Sequence, residues 1–311
     1  MHSDCTQPCE ASLASPLQTP VTAAAFPGSA GSNPPHIQWL VDTGQRLATS
    51  DGKTIEVWEL RHIADDTVLS AWAKHFRNHY CSDEDIDALR AARTKKDYLE
   101  QIKFPSRTSS LGPSVRAGDF GEILVADYLQ WILGYSVPRV RWNAKIVRDE
   151  SSKGSDVIGF RFSNPPGTSP NDVLAVFESK TRFSSGSAAN RLQDAINDSA
   201  KDHIRIDESL NYIKQRFFDK GQVDEAKKIE RFQNPVDLPY RELFGAAALF
   251  TADQFQSTDI CAADCQKVPS SSSQTGFRPH PNHDGIALIV IRGTDMMTLV
   301  HNLYQRAADE A

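Results

Sequence analysis

DVLAVFESK, residues 172–180, decides how the chain is read. Successive side chains of a strand point to opposite faces, so Leu174 and Val176 fall on one face and Val173, Ala175 and Phe177 on the other. A strand that is apolar on both faces belongs inside a sheet covered on both sides. This one then ends in Glu178, Ser179 and Lys180. Glu178 and Lys180 are two apart and project from the same face. Upstream, KGSDVIGF (153–160) opens a short strand over residues 156–162, headed by Asp156. If the two strands are neighbours, two carboxylates and one ammonium converge. Such a set suits Mg2+ or Mn2+, hard cations that take oxygen ligands and keep several waters. A cation there lowers the pKa of a bound water and stabilises charge on a phosphoryl oxygen, while a lysine positions the water. Without a cation the two acids repel each other. The bland alternative is that Glu178 and Lys180 are only the solvated end of a core strand.

Working outward, AGDFGEILVADYLQWILG (117–134) is expected to be a buried helix ending at Gly134, and Glu122 is an acid on its otherwise apolar surface. Residues 137–147 alternate as a strand would, with Arg139, Arg141 and Lys145 on one face. A long helix is expected over 188–218, further strands at 245–250 and 285–291, and a closing helix marked by Met296, Leu299, Val300 and Leu303. Before residue 116, residues 54–60 resemble a strand, and Leu69, Trp72, Ala73 and Phe76 recur at helical spacing. Ser82 is placed to cap a helix whose acids (Asp83, Glu84, Asp85, Asp87) precede its bases (Arg90, Arg93, Lys95, Lys96). The fold class is α/β (α+β): a mixed central sheet flanked by helices, with a restriction-endonuclease-like core. Three parts are expected: a disordered Pro-, Ser- and Ala-rich tail over 1–36, a mainly helical subdomain over 37–115, and the core over 116–311 with a flexible loop at about 266–284.

Net charge is -6, from 34 Lys and Arg against 40 Asp and Glu. A protein that grips nucleic acid over a broad surface is usually basic, so tight binding to DNA would need a partner. No apolar run approaches a membrane span, and no export-signal pattern is seen, so no membrane is involved and the expected location is the cytoplasm. The five cysteines (Cys5, Cys9, Cys81, Cys261, Cys265) do not suggest a disulfide framework. No Walker loop or Rossmann fingerprint occurs, which excludes a motor in this chain.

The stretches GDFGEILVADYL (118–129), KGSDVIGF and FESKTR (177–182), followed by LQDAINDSAKDHIR (192–205), resemble HamA, the nuclease subunit family of the Hachiman anti-phage defence system, within the PD-(D/E)xK superfamily. The resemblance spans about residues 116–206. A second two-gene defence pair, AbpA with AbpB, carries a similar subunit. The resemblance implies that Asp156 and Glu178 bind the metal, that Lys180 is catalytic, and that Glu122 is the helix acid completing or supporting the site. Gln193 stands where some members place a glutamine near the substrate. Ser155 stands where the superfamily often has proline. The implied partners are DNA and a superfamily-2 helicase, HamB, that restrains or targets this effector nuclease. A catalytically inactive nuclease-fold subunit that binds DNA or the helicase is the alternative, and an RNA-cutting toxin would share the same site.

Lys153 and Arg182 flank the site and are candidates for phosphate contact. Arg139, Arg141 and Lys145 would either track a DNA backbone or protect an edge strand from aggregation. Asp198, Asp202 and Arg205 lie on the long helix at spacings that suit ion pairing, contact with a partner, or holding the site shut. Cys261 and Cys265, followed by His280 and His283, have the residue types of a zinc site, although the histidine spacing is tight and a serine-rich loop intervenes.

Overall fold

A computed structural model describes residues 33–185, 190–270 and 276–311. Most of the expected tail therefore lies outside the described residues. Its last residues do not belong to a tail, because His36 is fully buried in a short 3-10 turn, Pro35–Trp39. The strands β1 (Leu40–Ala48) and β2 (Thr54–Leu60) follow. Next come the helices α1 (Asp66–Tyr80), α2 (Asp83–Leu89) and α3 (Lys95–Tyr98). The run from Asp83 to Lys96 is thus two helices rather than one, broken where Ala91 takes a φ of 52°. Ser82 caps α2 as expected, accepting from the Asp85 backbone N–H.

The helix α4 (Gly112–Asp127) continues through a π turn to Ile132, and Gly134, at φ 73°, lets the chain turn away. After it come β3 (Val157–Arg161), β4 (Val173–Arg182), α5 (Arg191–Asp219), α6 (Val223–Glu230), β5 (Arg241–Thr251) and α7 (Ser257–Cys261). A small pair, β6 (Val268–Pro269) and β7 (Phe277–Arg278), occupies the expected loop, of which residues 271–275 lie outside the described residues. The strand β8 (Ala287–Gly293) and helix α8 (Met296–Asp309) complete the described chain. The start expected for the long helix, at 188, also falls outside the described residues.

The six-stranded sheet runs β1-β2-β8-β5-β4-β3. Its four inner strands are parallel, and its two edge strands are antiparallel to their neighbours. Strand β4, apolar on both faces, lies inside the sheet as its sequence requires. Val173, Ala175 and Phe177 join a core built on α1, α4 and α8, while Leu174 and Val176 join one built on α5 and α6. The first of these cores also takes in Trp39, Trp58, Leu60 and Trp72, so residues before 115 share both the sheet and its covering layer. Among the described residues no helix is long and apolar enough to cross a membrane.

One expected strand does not form. Residues 137–147 are irregular, with a 3-10 turn at Trp142–Ala144, and an isolated bridge, Ser136 to Phe160, lies just before them. Pro138 has no N–H for a ladder, and the three cations that made the alternation each take a buried or half-buried acid. Arg139 binds Asp127 at 2.6 Å, Arg141 binds Asp156 at 3.0 Å, and Lys145 binds Asp119 at 2.5 Å. They form neither a DNA-tracking face nor a guard on an edge strand.

The β4–β5 register sets Gly245 opposite Phe177, and a Cβ on Gly245 would lie 2.3 Å from the Phe177 ring. Phe177 is fully buried and has no room to swing. Gly245→Ala is therefore expected to destabilise by about 1–3 kcal/mol through overpacking. Urea unfolding checks this, and adding Phe177→Leu should recover part of the loss. An unchanged midpoint for the single variant would show that the close approach imposes no constraint.

Candidate functional site

The hairpin register sets the site. Val157 pairs with Phe177, so one step further Asp156 stands opposite Glu178. The Ser179 backbone N–H donates to Asp156 Oδ2 at 3.1 Å, which holds the carboxylate against β4. Glu178 is buried, and its Oε1 has no donor. Lys180 leaves the same face of β4, with Nζ 2.7 Å from Asp198 Oδ2 and 3.6 Å from Glu178 Oε2. Asp156, Glu178 and Lys180 are thus brought together.

Helix α5 covers this face and supplies two acids one turn apart. Asp198 pairs with Lys180 and, at 2.5 Å, with Lys201. Asp202 is fully buried, accepts from Ser155 Oγ at 2.9 Å and leaves Oδ2 without a partner. The spacing of Asp198 and Asp202 was open to several readings, and the structure turns both toward the site, while Arg205 stays exposed beside the groove.

Glu122 comes from the opposite layer. Helix α4 lies so close to the other face of β4 that a Cβ on Gly121 would meet Thr181 Cγ2 at 2.5 Å. Arg141 links Glu122 to Asp156, with its Nε 3.1 Å from Glu122 Oε2. The same guanidinium donates through Nη2 to Asp156 Oδ1 at 3.0 Å and to the Ser152 carbonyl at 2.7 Å, and through Nη1 to the Ser155 carbonyl at 2.5 Å. No local signal in the sequence marked this role for Arg141, because its partners are spread over α4, a loop and a strand.

Of the expected substrate contacts, Lys153 is exposed and lines the groove that holds Asp156, Glu178 and Lys180. Arg182 lies two residues beyond Lys180 on the strand, half-buried, with no partner for Nε. Gln193 is elsewhere. Its Oε1 accepts from the Asp264 backbone N–H at 2.7 Å and its Nε2 donates to the Asp264 carbonyl, so the side chain ties α5 to a neighbouring loop.

Electrostatically the site is strained toward the neutral form. Burial pushes Glu122 up to about 8; Arg141 pulls against this, and Asp156 pushes with it. Burial likewise raises Asp202 to about 7, opposed by its hydrogen bond from Ser155. Glu178 is held well above the usual range, by burial first and then by the charges of Asp156 and Asp202. Each of these acids has a higher pKa folded than unfolded, so ionising them costs stability. The cost is absent below the ordinary carboxylate range, accrues as pH rises above it, and is complete once pH has passed the folded values of about 7 and about 8. A bound divalent cation would reverse it. The melting temperature of the metal-free protein is therefore expected to fall over that interval, and Mg2+ should raise it more near pH 8 than near pH 5 (about one unit above an ordinary carboxylate). Equal Mg2+ effects at both pH values would count against a cation held by these acids.

The donor set suits such a cation. It offers carboxylate oxygens, two of them buried without a donor, and Mg2+ needs only one or two protein carboxylates beside water and phosphate. Among the described residues, the one group that brings three ligand atoms within 4.8 Å of one another lies elsewhere: His36, His75 and Asp127. Arg139 already donates to Asp127 there at 2.6 Å, and His36 stacks on Trp72, so the cluster reads as a buried charge network. The four residues of zinc-ligand type, Cys261, Cys265, His280 and His283, do not come together as one ligand group among the described residues. The His280 ring accepts from the Asn282 backbone N–H through Nδ1, and His283 pairs with Asp51 at 3.0 Å.

Residues 35–307 match the family HamA. The span contains the whole six-stranded sheet and every residue of the groove. The chain belongs to the HamA family. HamA is a component of the Hachiman anti-phage defence system, and membership makes this chain a defence-system component that works with a partner. No curated protein matches this HamA chain.

Proposed function

We propose that the chain is a metal-dependent nuclease of the PD-(D/E)xK type that cuts DNA as the effector of a Hachiman system, restrained or targeted by a helicase partner. The observation that carries this reading is the register: Asp156 opposite Glu178, with Lys180 two residues on and beside them. Asp156 and Glu178 would hold Mg2+ or Mn2+, with Asp202 close behind. The cation would supply an activated water and charge stabilisation at phosphorus. Lys180, held by Asp198, orients the water and balances charge. Lys153 and Arg182 would contact phosphate.

The alternative, a nuclease fold kept only for binding, leaves the acids unexplained. Buried carboxylates without donors destabilise a fold, and a docking subunit has no use for them. The test is incubation of plasmid DNA with the purified chain in Mg2+ and in EDTA, alone and with the helicase encoded beside it, and with single-stranded RNA as a second substrate. Mg2+-dependent DNA cleavage that Glu178→Gln removes is the expected result. Absence of cleavage by folded protein in every setting would favour the binding subunit, and cleavage of RNA alone would favour the toxin.

A further inference from the structure

The acids of the groove already have a cation among them. Arg141 is largely buried: its Nε faces Glu122 in an ion pair without a hydrogen bond, its Nη2 donates to Asp156 and the Ser152 carbonyl, and its Nη1 to the Ser155 carbonyl. Asp156 is the acid that a metal would share with Glu178. Its Oδ1 accepts from Arg141 and its Oδ2 from the Ser179 backbone, so both of its oxygens are engaged. A guanidinium and a divalent ion on one carboxylate repel each other, and side chains only 11% and 12% exposed are weakly screened.

Resting on the metal-nuclease reading above, we infer that Arg141 is the resident counter-ion of the unloaded site and competes with the divalent cation for Asp156. Loading the metal and releasing Asp156 from Arg141 are then one event. Glu122 keeps hold of the guanidinium during the exchange, which makes Glu122 a positioning residue from the opposite layer. The exchange also reaches the loop before β3. The Ser152 and Ser155 carbonyls lose their donor when Arg141 shifts, and Lys153 between them is freed to move over the groove. A partner that pressed this loop onto Arg141 would keep the metal out without touching the acids.

The experiment is calorimetric titration of Mn2+ into metal-free wild type, Arg141→Gln, Glu178→Gln and the double variant Arg141→Gln/Asp156→Asn. Arg141→Gln is expected to bind Mn2+ about tenfold tighter or more, which is at least about 1.4 kcal/mol. The double variant should lose that gain. Unchanged or weaker binding by Arg141→Gln, with Glu178→Gln abolishing it, would overturn the competition and leave the metal site standing. No Mn2+ binding by wild type or Arg141→Gln would remove the metal reading and the inference with it. If Arg141→Gln does not fold, wild type decides. The buried arginine Nε–H resonance that Arg141→Lys eliminates should move on Mg2+ addition, and an unmoved resonance under Mg2+ that raises the melting temperature would overturn the inference.

Discussion

Lys180→Ala is expected to lower metal-dependent cleavage about 100- to 10,000-fold, the range for losing a group that positions or moves a proton in the transition state. The fold should survive, because Lys180 sits at the edge of the groove with its side chain 27% exposed, and its removal opens no buried cavity. If the ammonium acts on the attacking water, as proposed, the loss should fall on kcat more than on KM. Lys180→Arg should not rescue it, because a planar fork cannot stand where a compact ammonium bridges Asp198 and Glu178. Asp198→Asn should cost less. It removes the partner that holds Lys180 in place and helps raise its pKa, so the pH–rate profile should shift before the rate collapses. Full cleavage by a folded Lys180→Ala protein would sink the assignment of Lys180.

The largest effect on stability is expected at Asp127. Its carboxylate is fully buried and accepts from His36 Nε2 at 2.9 Å, His75 Nε2 at 3.0 Å and Arg139 Nη2 at 2.6 Å. Burial alone would raise its pKa, but Arg139 and the imidazoles outweigh burial and hold it well below the usual range. Its contribution is therefore present above the ordinary carboxylate range and is lost only as pH falls through that depressed value. Asp127→Ala leaves the Arg139 charge without its counter-charge and should cost about 3–5 kcal/mol. Measured by urea denaturation, that is a large share of a typical stability of about 5–15 kcal/mol. Asp127→Asn should fall between, keeping an acceptor but losing the charge. A neutral result for Asp127→Ala would mean that desolvation of the network already cancels what its bonds contribute.

Features set by near neighbours were legible in the sequence. Strand β4, its Glu178 and Lys180, the long helix α5 and the Ser82 cap all follow from period two, period three-to-four or a single capping bond. Features set by distant partners were not. The alternation at 137–147 looked like a strand, but the acids that hold Arg139, Arg141 and Lys145 come from α4 and from the approach to β3. Asp202 left ion pairing, partner contact and holding the site shut all open until the packing of α5 on β4 buried it beside Glu178. His36 read as the end of a tail because its partner, Asp127, lies far along the chain. A constellation assembled across layers leaves only composition in the sequence, and composition does not say which acid meets which base.

The placement of β8 governs how this molecule is made. That strand, formed from residues 287–293, lies between β2 and β5, with Ile55 paired to Leu288 and Ala246 paired to that same residue on the other side. A ribosome-bound chain that ends between about residues 251 and 287 has β1-β2 and β3-β4-β5 without the strand that joins them, so β2 and β5 should each keep an open parallel edge. Bridging them is the latest and least local step of folding, so it should set the pace of maturation. During that interval the unpaired edges of β2 and β5 are the surfaces on which chaperones, or aggregation, would act first.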